Sequence, residues 1–184
     1  QFDRSVGRLI EAVAETAPWV DVTFAHRRRH CPERLWEAIS ALVKGHAGTG
    51  RFRVAPLARL DFARQVNLLA ANDLLLDPSL TGDEAHYLAL ARACGVAVLA
   101  YGHPAALELL DQDPGGSLVK TDVEYDDNGQ AWAAADPEAL GYALRTLISR
   151  PEEVRGSGCS PGAFARSQNF RLAWLAALAP PGPA

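Results

Sequence analysis

Methionine is absent from the 184-residue sequence, position 1 included, so a chain opening on Gln1 is expected to be a piece of a longer protein. Cysteine is scarce. Cys31, Cys94 and Cys159 form an odd set at wide spacing, which argues against a disulfide framework and against a zinc site, and makes the reducing cytoplasm the expected setting. No apolar run approaches the ~20 residues that span a bilayer, so no membrane span is expected. An excess of positive charge is also lacking: 18 Lys and Arg against 22 Asp and Glu leave a net charge of −4, which argues against a domain that coats nucleic acid. There is no Walker loop, no GxGxxG, no GxSxG and no HExxH, which removes the common phosphate-loop, dinucleotide, serine-hydrolase and zinc-peptidase chemistries.

What remains is 48% hydrophobic and 22% charged, the balance of one globular domain, expected over residues 1–179 with a Pro-rich tail at 180–184. Apolar spacing predicts helices over Arg4 to Thr16, from Pro32 through Val43, over Asp61 to Ala71 with Phe62, Val66, Leu69 and Ala70 inward, and over Asp83 to Cys94. Further helices are predicted over Pro104 to Leu110, from Pro137 with Leu140, Tyr142, Leu144 and Leu147, and over Ala163 to Leu178. Strands are predicted at Val20 to Phe24, Phe52 to Leu57, Leu74 to Leu76, Val96 to Tyr101 and Ser117 to Lys120. Asn128-Gly129 marks a hairpin within Val123 to Trp132.

Strands alternating with helices are the signature of a parallel sheet covered on both faces, an α/β Rossmann-like architecture. Ligands of such sheets sit beyond the carboxyl ends of the strands. That draws attention to the loops starting at His26, Leu57, Pro78 and Gly102, and to the one after Val119.

From Ala71 to Leu147 the sequence resembles the C-terminal half of retaining GT-B glycosyltransferases. Asn72-Asp73-Leu74-Leu75-Leu76-Asp77-Pro78-Ser79-Leu80 is similar to that family's aspartate, apolar run and Pro-Ser. Ala91-Arg92-Ala93-Cys94-Gly95-Val96-Ala97-Val98-Leu99-Ala100 is similar to its helix end and following strand. Gly116-Ser117-Leu118-Val119 and Asp136-Pro137-Glu138-Ala139-Leu140 continue the order. The resemblance implies the GT-B C-terminal-domain type of fold, the half that binds a nucleotide-sugar donor for hexosyl transfer, with acceptor binding in another domain. It implies Ser79, Gly82, Asp83 and Glu84 beside the donor, and no separate cofactor.

Two departures stand against transfer activity in this domain alone. The family carries paired glutamates, and their positions here are Gly82 and Leu90; a leucine cannot hold ribose hydroxyls. A gapped alignment that gives Glu84 the first role puts Arg92 in the second. Thr81-Gly82-Asp83-Glu84 also reads as a capping box, which would fill the anion-attracting helix end with the chain's own carboxylates. A non-catalytic glycosyltransferase-like scaffold or interaction module is therefore the alternative function. An unrelated flavodoxin-like regulator is the third reading, and it requires an acidic pocket as well as a lysine on late strands.

Arg27 and Arg28, within His26-Arg27-Arg28-Arg29-His30 after the first strand, read either as a clamp for phosphate or phosphosugar or as a solvated basic turn facing another domain. His103, in Gly102-His103-Pro104, reads as a cleft residue and candidate general base or as a loop histidine before a helix. Asp122, Glu124, Asp126, Asp127 and Asn128 lack the terminal glutamate of a calcium loop, and turn chemistry accounts for them without a metal. His86 is expected at the surface and Cys94 in the core. The apolar final helix, with Phe170 and Trp174, reads as a contact with the partner domain of the parent protein, as packing on this sheet, or as a homo-oligomer seam.

Overall fold

A strand covered on both faces can be apolar at every position, and Leu74 to Leu76 and Ala97 to Tyr101 are such runs. The computed structural model describes residues 20–26, 33–45, 52–56, 59–81, 85–110, 116–125, 127, 129, 131–134, 136–156 and 170–176. Within them the order is β1 (Val20–His26), α1 (Glu33–Gly45), β2 (Phe52–Pro56), α2 (Phe62–Ala70), β3 (Leu74–Asp77), α3 (His86–Ala93), β4 (Ala97–Tyr101), α4 (Pro104–Leu110) and β5 (Gly116–Val119). The hairpin β6 (Val123–Tyr125) and β7 (Ala131–Ala133) follows, then α5 (Pro137–Ile148), α6 (Pro151–Gly156) and β8 (Phe170–Ala176).

Six strands form one sheet in the order β2-β1-β8-β3-β4-β5, and every neighbouring pair is parallel. Successive residues of a strand serve opposite faces. Val20, Val22 and Phe24 of β1, Leu74 and Leu76 of β3, and Leu99 and Tyr101 of β4 pack with Ile39 of α1 and with Leu140, Leu144 and Ile148 of α5. The intervening residues Leu75, Val98 and Ala100 pack on the other side with Leu69 of α2, Tyr87 and Leu88 of α3, and Ala106 and Leu110 of α4. Helices thus cover both faces, a mixed α/β fold consistent with a Rossmann-like sheet. Among the described residues, no helix is long and apolar enough to cross a membrane.

Local chemistry fixes the element ends. Asp61 caps α2 by accepting the Arg64 N–H at 2.8 Å, and Asp136 caps α5 by accepting the Ala139 N–H at 2.9 Å, with Pro137 in the first turn. Gly95, with φ of 74°, ends α3, and Gly129, with φ of 79°, turns the antiparallel hairpin.

Several expectations are corrected. Residues 170–176 form a strand, where a helix was expected over Ala163 to Leu178, and this strand lies in the middle of the sheet. Its larger apolar residues Phe170, Leu172 and Trp174 recur every second position, and a short apolar run satisfies either period until its neighbours decide. The contacts expected of a C-terminal helix, to a partner domain or a second copy, lose that helix. Phe62, expected inward, is 69% exposed at the first residue of α2. Tyr142 is 69% exposed because the buried stripe of α5 runs Leu140, Leu144, Ile148, and a residue two positions along faces away from it. No element was expected at Pro151–Gly156, which form the short helix α6. The predicted opening helix and the 180–184 tail lie outside the described residues.

Gly116 begins β5 against α4: a Cβ built there would meet Leu110 Cβ at 2.8 Å and the Leu110 carbonyl oxygen at 3.1 Å. At Gly45, the last residue of α1, the same atom meets nothing within 4 Å. Gly116→Ala is expected to lose about 1–3 kcal/mol through overpacking, and Gly45→Ala to be neutral or mildly stabilising, as read by the urea midpoints of the two variants.

Candidate functional site

The carboxyl ends of the parallel strands bring His26, Pro56, Asp77, Tyr101 and Val119 to one edge of the sheet, as the sequence pattern anticipates. Asp77, the last residue of β3, is fully buried. Its Oδ1 accepts the Ser79 backbone N–H at 3.0 Å and the Ser79 hydroxyl at 2.5 Å, an Asx turn that folds the Pro78-Ser79 loop back over the strand end. Ser79 and Thr81 are buried as well. The Leu80 carbonyl accepts the Ala133 N–H at 2.8 Å, so the β6–β7 hairpin is tied to this loop.

One strand over, the Gly102 N–H donates to the Val119 carbonyl at 2.9 Å, joining the ends of β4 and β5. His103 follows, fully buried, and its Nδ1 accepts the Ala106 N–H at 3.1 Å. It stands before Pro104 as the cap of α4, in the role usually taken by Asp or Ser. An accepting Nδ1 carries no proton, so the neutral ring holds its proton on Nε2 and presents a donor there. Ser79 and His103 therefore lie on adjacent strand ends, and both serve local turn and cap geometry.

The remaining expected site residues, Arg27, Arg28, Gly82, Asp83 and Glu84, lie outside the described residues. The described part of the helix expected over Asp83 to Cys94 runs from His86 to Ala93, with Ala85 at its cap and no side-chain cap bond. Leu90 of α3 is half-buried and packs, with Cys94 and Leu118, against the apolar cluster that includes Leu75, Leu88 and Val98. Burial pushes the Cys94 thiol above its ordinary range, making it a poor nucleophile at neutral pH. His86 is exposed, with its ring centroid 4.1 Å from that of Tyr87.

Two residues at this edge were not expected. Asp77 appears in the sequence as part of a strand-ending motif; its position before Pro-Ser was the signal for a carboxylate that organises a turn. The Thr121 hydroxyl, two residues past β5, is a buried group without a hydrogen-bond partner among the described residues. No sequence feature distinguishes it from other loop threonines. Tyr101 closes the same edge from the other face. Burial and then the Asp136 carboxylate push its phenol well above the ordinary value, while the Asp136 backbone N–H offsets part of the rise. Among the described residues, no three His, Cys, Asp or Glu side chains gather as metal ligands.

Comparison with known families and with curated proteins gives no match to this chain.

Removing the acceptor that holds the Ser79 turn should be costly. Asp77→Ala is expected to lose about 2–3 kcal/mol, the scale of hydrogen bonds to a charged group, and Asp77→Asn, which keeps one acceptor oxygen, should lose less in urea denaturation. A second outcome concerns alkaline pH. Because the folded Tyr101 keeps its proton above the ordinary phenol value of 10, its contribution is intact below pH 10 and declines as pH rises further. Tyr101→Phe should flatten the alkaline fall in stability, measured by denaturation between pH 9 and pH 11.5, on the order of one pH unit either side of the free phenol value.

Proposed function

We propose that this chain is the nucleotide-sugar donor-binding half of a GT-B glycosyltransferase-like protein of the cytoplasm, with its acceptor site on a second domain of the parent protein. The observation that carries the reading is the placement of the Asp77-Pro78-Ser79 turn. It sits at the carboxyl end of β3, next to the point where the sheet's connections change direction: β1 leads outward to β2, and β3 leads the other way to β4. Doubly wound sheets bind their ligands at this place. The basic pair Arg27 and Arg28 follows directly on His26 at the end of β1, on the other side of the same point, and suits the diphosphate of a donor.

One observation favours a second reading, a glycosyltransferase-like scaffold without transfer chemistry. Leu90, at the position where the resemblance asks for a ribose-holding carboxylate, packs into an apolar cluster. A group used for packing in this way gives the ribose nothing to bond.

Thermal denaturation with UDP, GDP and their sugar conjugates separates the two. A ligand at a hundred times its Kd stabilises by about 2.7 kcal/mol, which for a domain of this size raises Tm by roughly 5–10 °C. The donor-half reading requires such a rise and its loss in Arg27→Ala and Arg28→Ala. An unchanged Tm at millimolar ligand leaves the scaffold.

A further inference from the structure

The sheet consists of two blocks, β2-β1 and β3-β4-β5, and β8 is the one strand that pairs with both. Its register with β1 runs from Val20↔Phe170 to His26↔Ala176, and with β3 from Leu74↔Leu172 to Leu76↔Trp174. Leu172 thus shares a cross-strand row with Val22 and Leu74, and Trp174 shares one with Phe24 and Leu76. Those four partners belong to a single apolar cluster, which crosses the position of β8 and is held together from above by α1 and α5. A slip of one residue would bring Arg171 and Ala173 into these rows in one direction and Ala173 and Leu175 in the other, so in either case Leu172 and Trp174 leave the rows they share with the cluster.

We propose that the position between β1 and β3 is a strand-acceptor slot, and that a second copy of this chain can fill it with its own β8, giving a strand-exchanged dimer. The inference is independent of the functional reading above. Every copy carries one slot and one matching strand, so reciprocal exchange preserves every pairing seen within the single chain. An empty slot exposes the backbone groups of both β1 and β3, an edge that recruits any strand of the right pattern.

The connection allows the exchange. Thirteen residues, 157–169, separate Gly156 from Phe170. Such a length reaches up to about 45 Å, against a radius of gyration of about 16 Å for a domain of this size. Tethering favours the chain's own strand with an effective concentration in the millimolar range, so on the order of a tenth of chains exchange at ~0.1 mM protein.

Disulfide trapping reads this directly. In a Cys31→Ser, Cys94→Ala, Cys159→Ser background, Val22→Cys and Leu172→Cys are placed on separate chains, one of them carrying a mass tag. Neighbouring strands lie about 4.8 Å apart, within the ~4.4–6.8 Å range that a disulfide bridges. The expected result is a mixed disulfide dimer on a non-reducing gel. Its yield should rise with protein concentration and exceed several-fold that obtained when Arg150→Cys, on the exposed surface, replaces Leu172→Cys. A chain carrying both Val22→Cys and Leu172→Cys should close on itself at low concentration. The registered pair Thr23→Cys and Ala173→Cys repeats the measurement should the first substitutions unfold the protein. Mixed dimer no greater than the Arg150→Cys background, with closure inside the doubly substituted chain, overturns the proposal, and so does failure of both pairs to close within one chain.

Discussion

The two-sided pairing of β8 is the interaction on which the rest of the sheet depends. β1 and β3 do not pair with each other, so the backbone groups each turns toward the middle are met by β8. Buried backbone N–H and C=O groups must be bonded, and a parallel sheet covered by helices on both faces has no solvent to supply partners. The helices reinforce the closure without replacing it: α1 and α5 pack on side chains from both blocks of the sheet, but only a strand can bond to both edges. The last described element of the chain therefore completes a sheet whose other strands all precede it in sequence.

That arrangement places the polar chemistry. The strands end together, and their last residues and first loop residues form one edge at which Asp77, Ser79, Thr81 and His103 are all buried. In water these groups would be solvated; in the fold, two of them build the geometry beside them. Asp77 organises the Ser79 turn, and His103 caps α4. Polar side chains at the ligand edge of such a sheet thus have two uses, and local hydrogen bonding accounts for the described bonds of this pair. The Thr121 hydroxyl, buried two residues past β5, has no hydrogen-bond partner among the described residues.

Much of this was legible from residue pattern. Unbroken apolar runs located β3 and β4, Asp136-Pro137 marked the start of α5, and Asn128-Gly129 marked the hairpin, because each signal is local and its chemistry acts within a few residues. β8 was not legible, for the opposite reason. Phe170 to Ala176 is seven residues, too short for period alone to separate a buried helix from a buried strand, and what decides is the pairing offered by β1 and β3, about a hundred or more positions earlier in the sequence. The roles of Asp77 and His103 were missed in part because a polar residue at a strand end looks the same in sequence whether it meets a ligand or its own backbone. Phe62 shows the same limit at a helix end, where an apolar stripe runs past the neighbour that would cover it.

The order of the strands also bears on where an anion could be held. In doubly wound sheets the strand at the change of direction delivers its following loop to the ligand, and that loop ordinarily supplies backbone and polar groups to a phosphate. Here β8 occupies that position, and the sequence after Ala176, from Ala177 to Ala184, contains no hydroxyl, amide or charged side chain. On either side of β8, the loops after β1 and β3 leave the same edge of the sheet. One begins with Arg27 and Arg28, and the other begins with a carboxylate already bonded to Ser79. Leu90 of α3, half-buried against the apolar cluster on one face, brings packing to this half of the sheet and no hydrogen-bonding group.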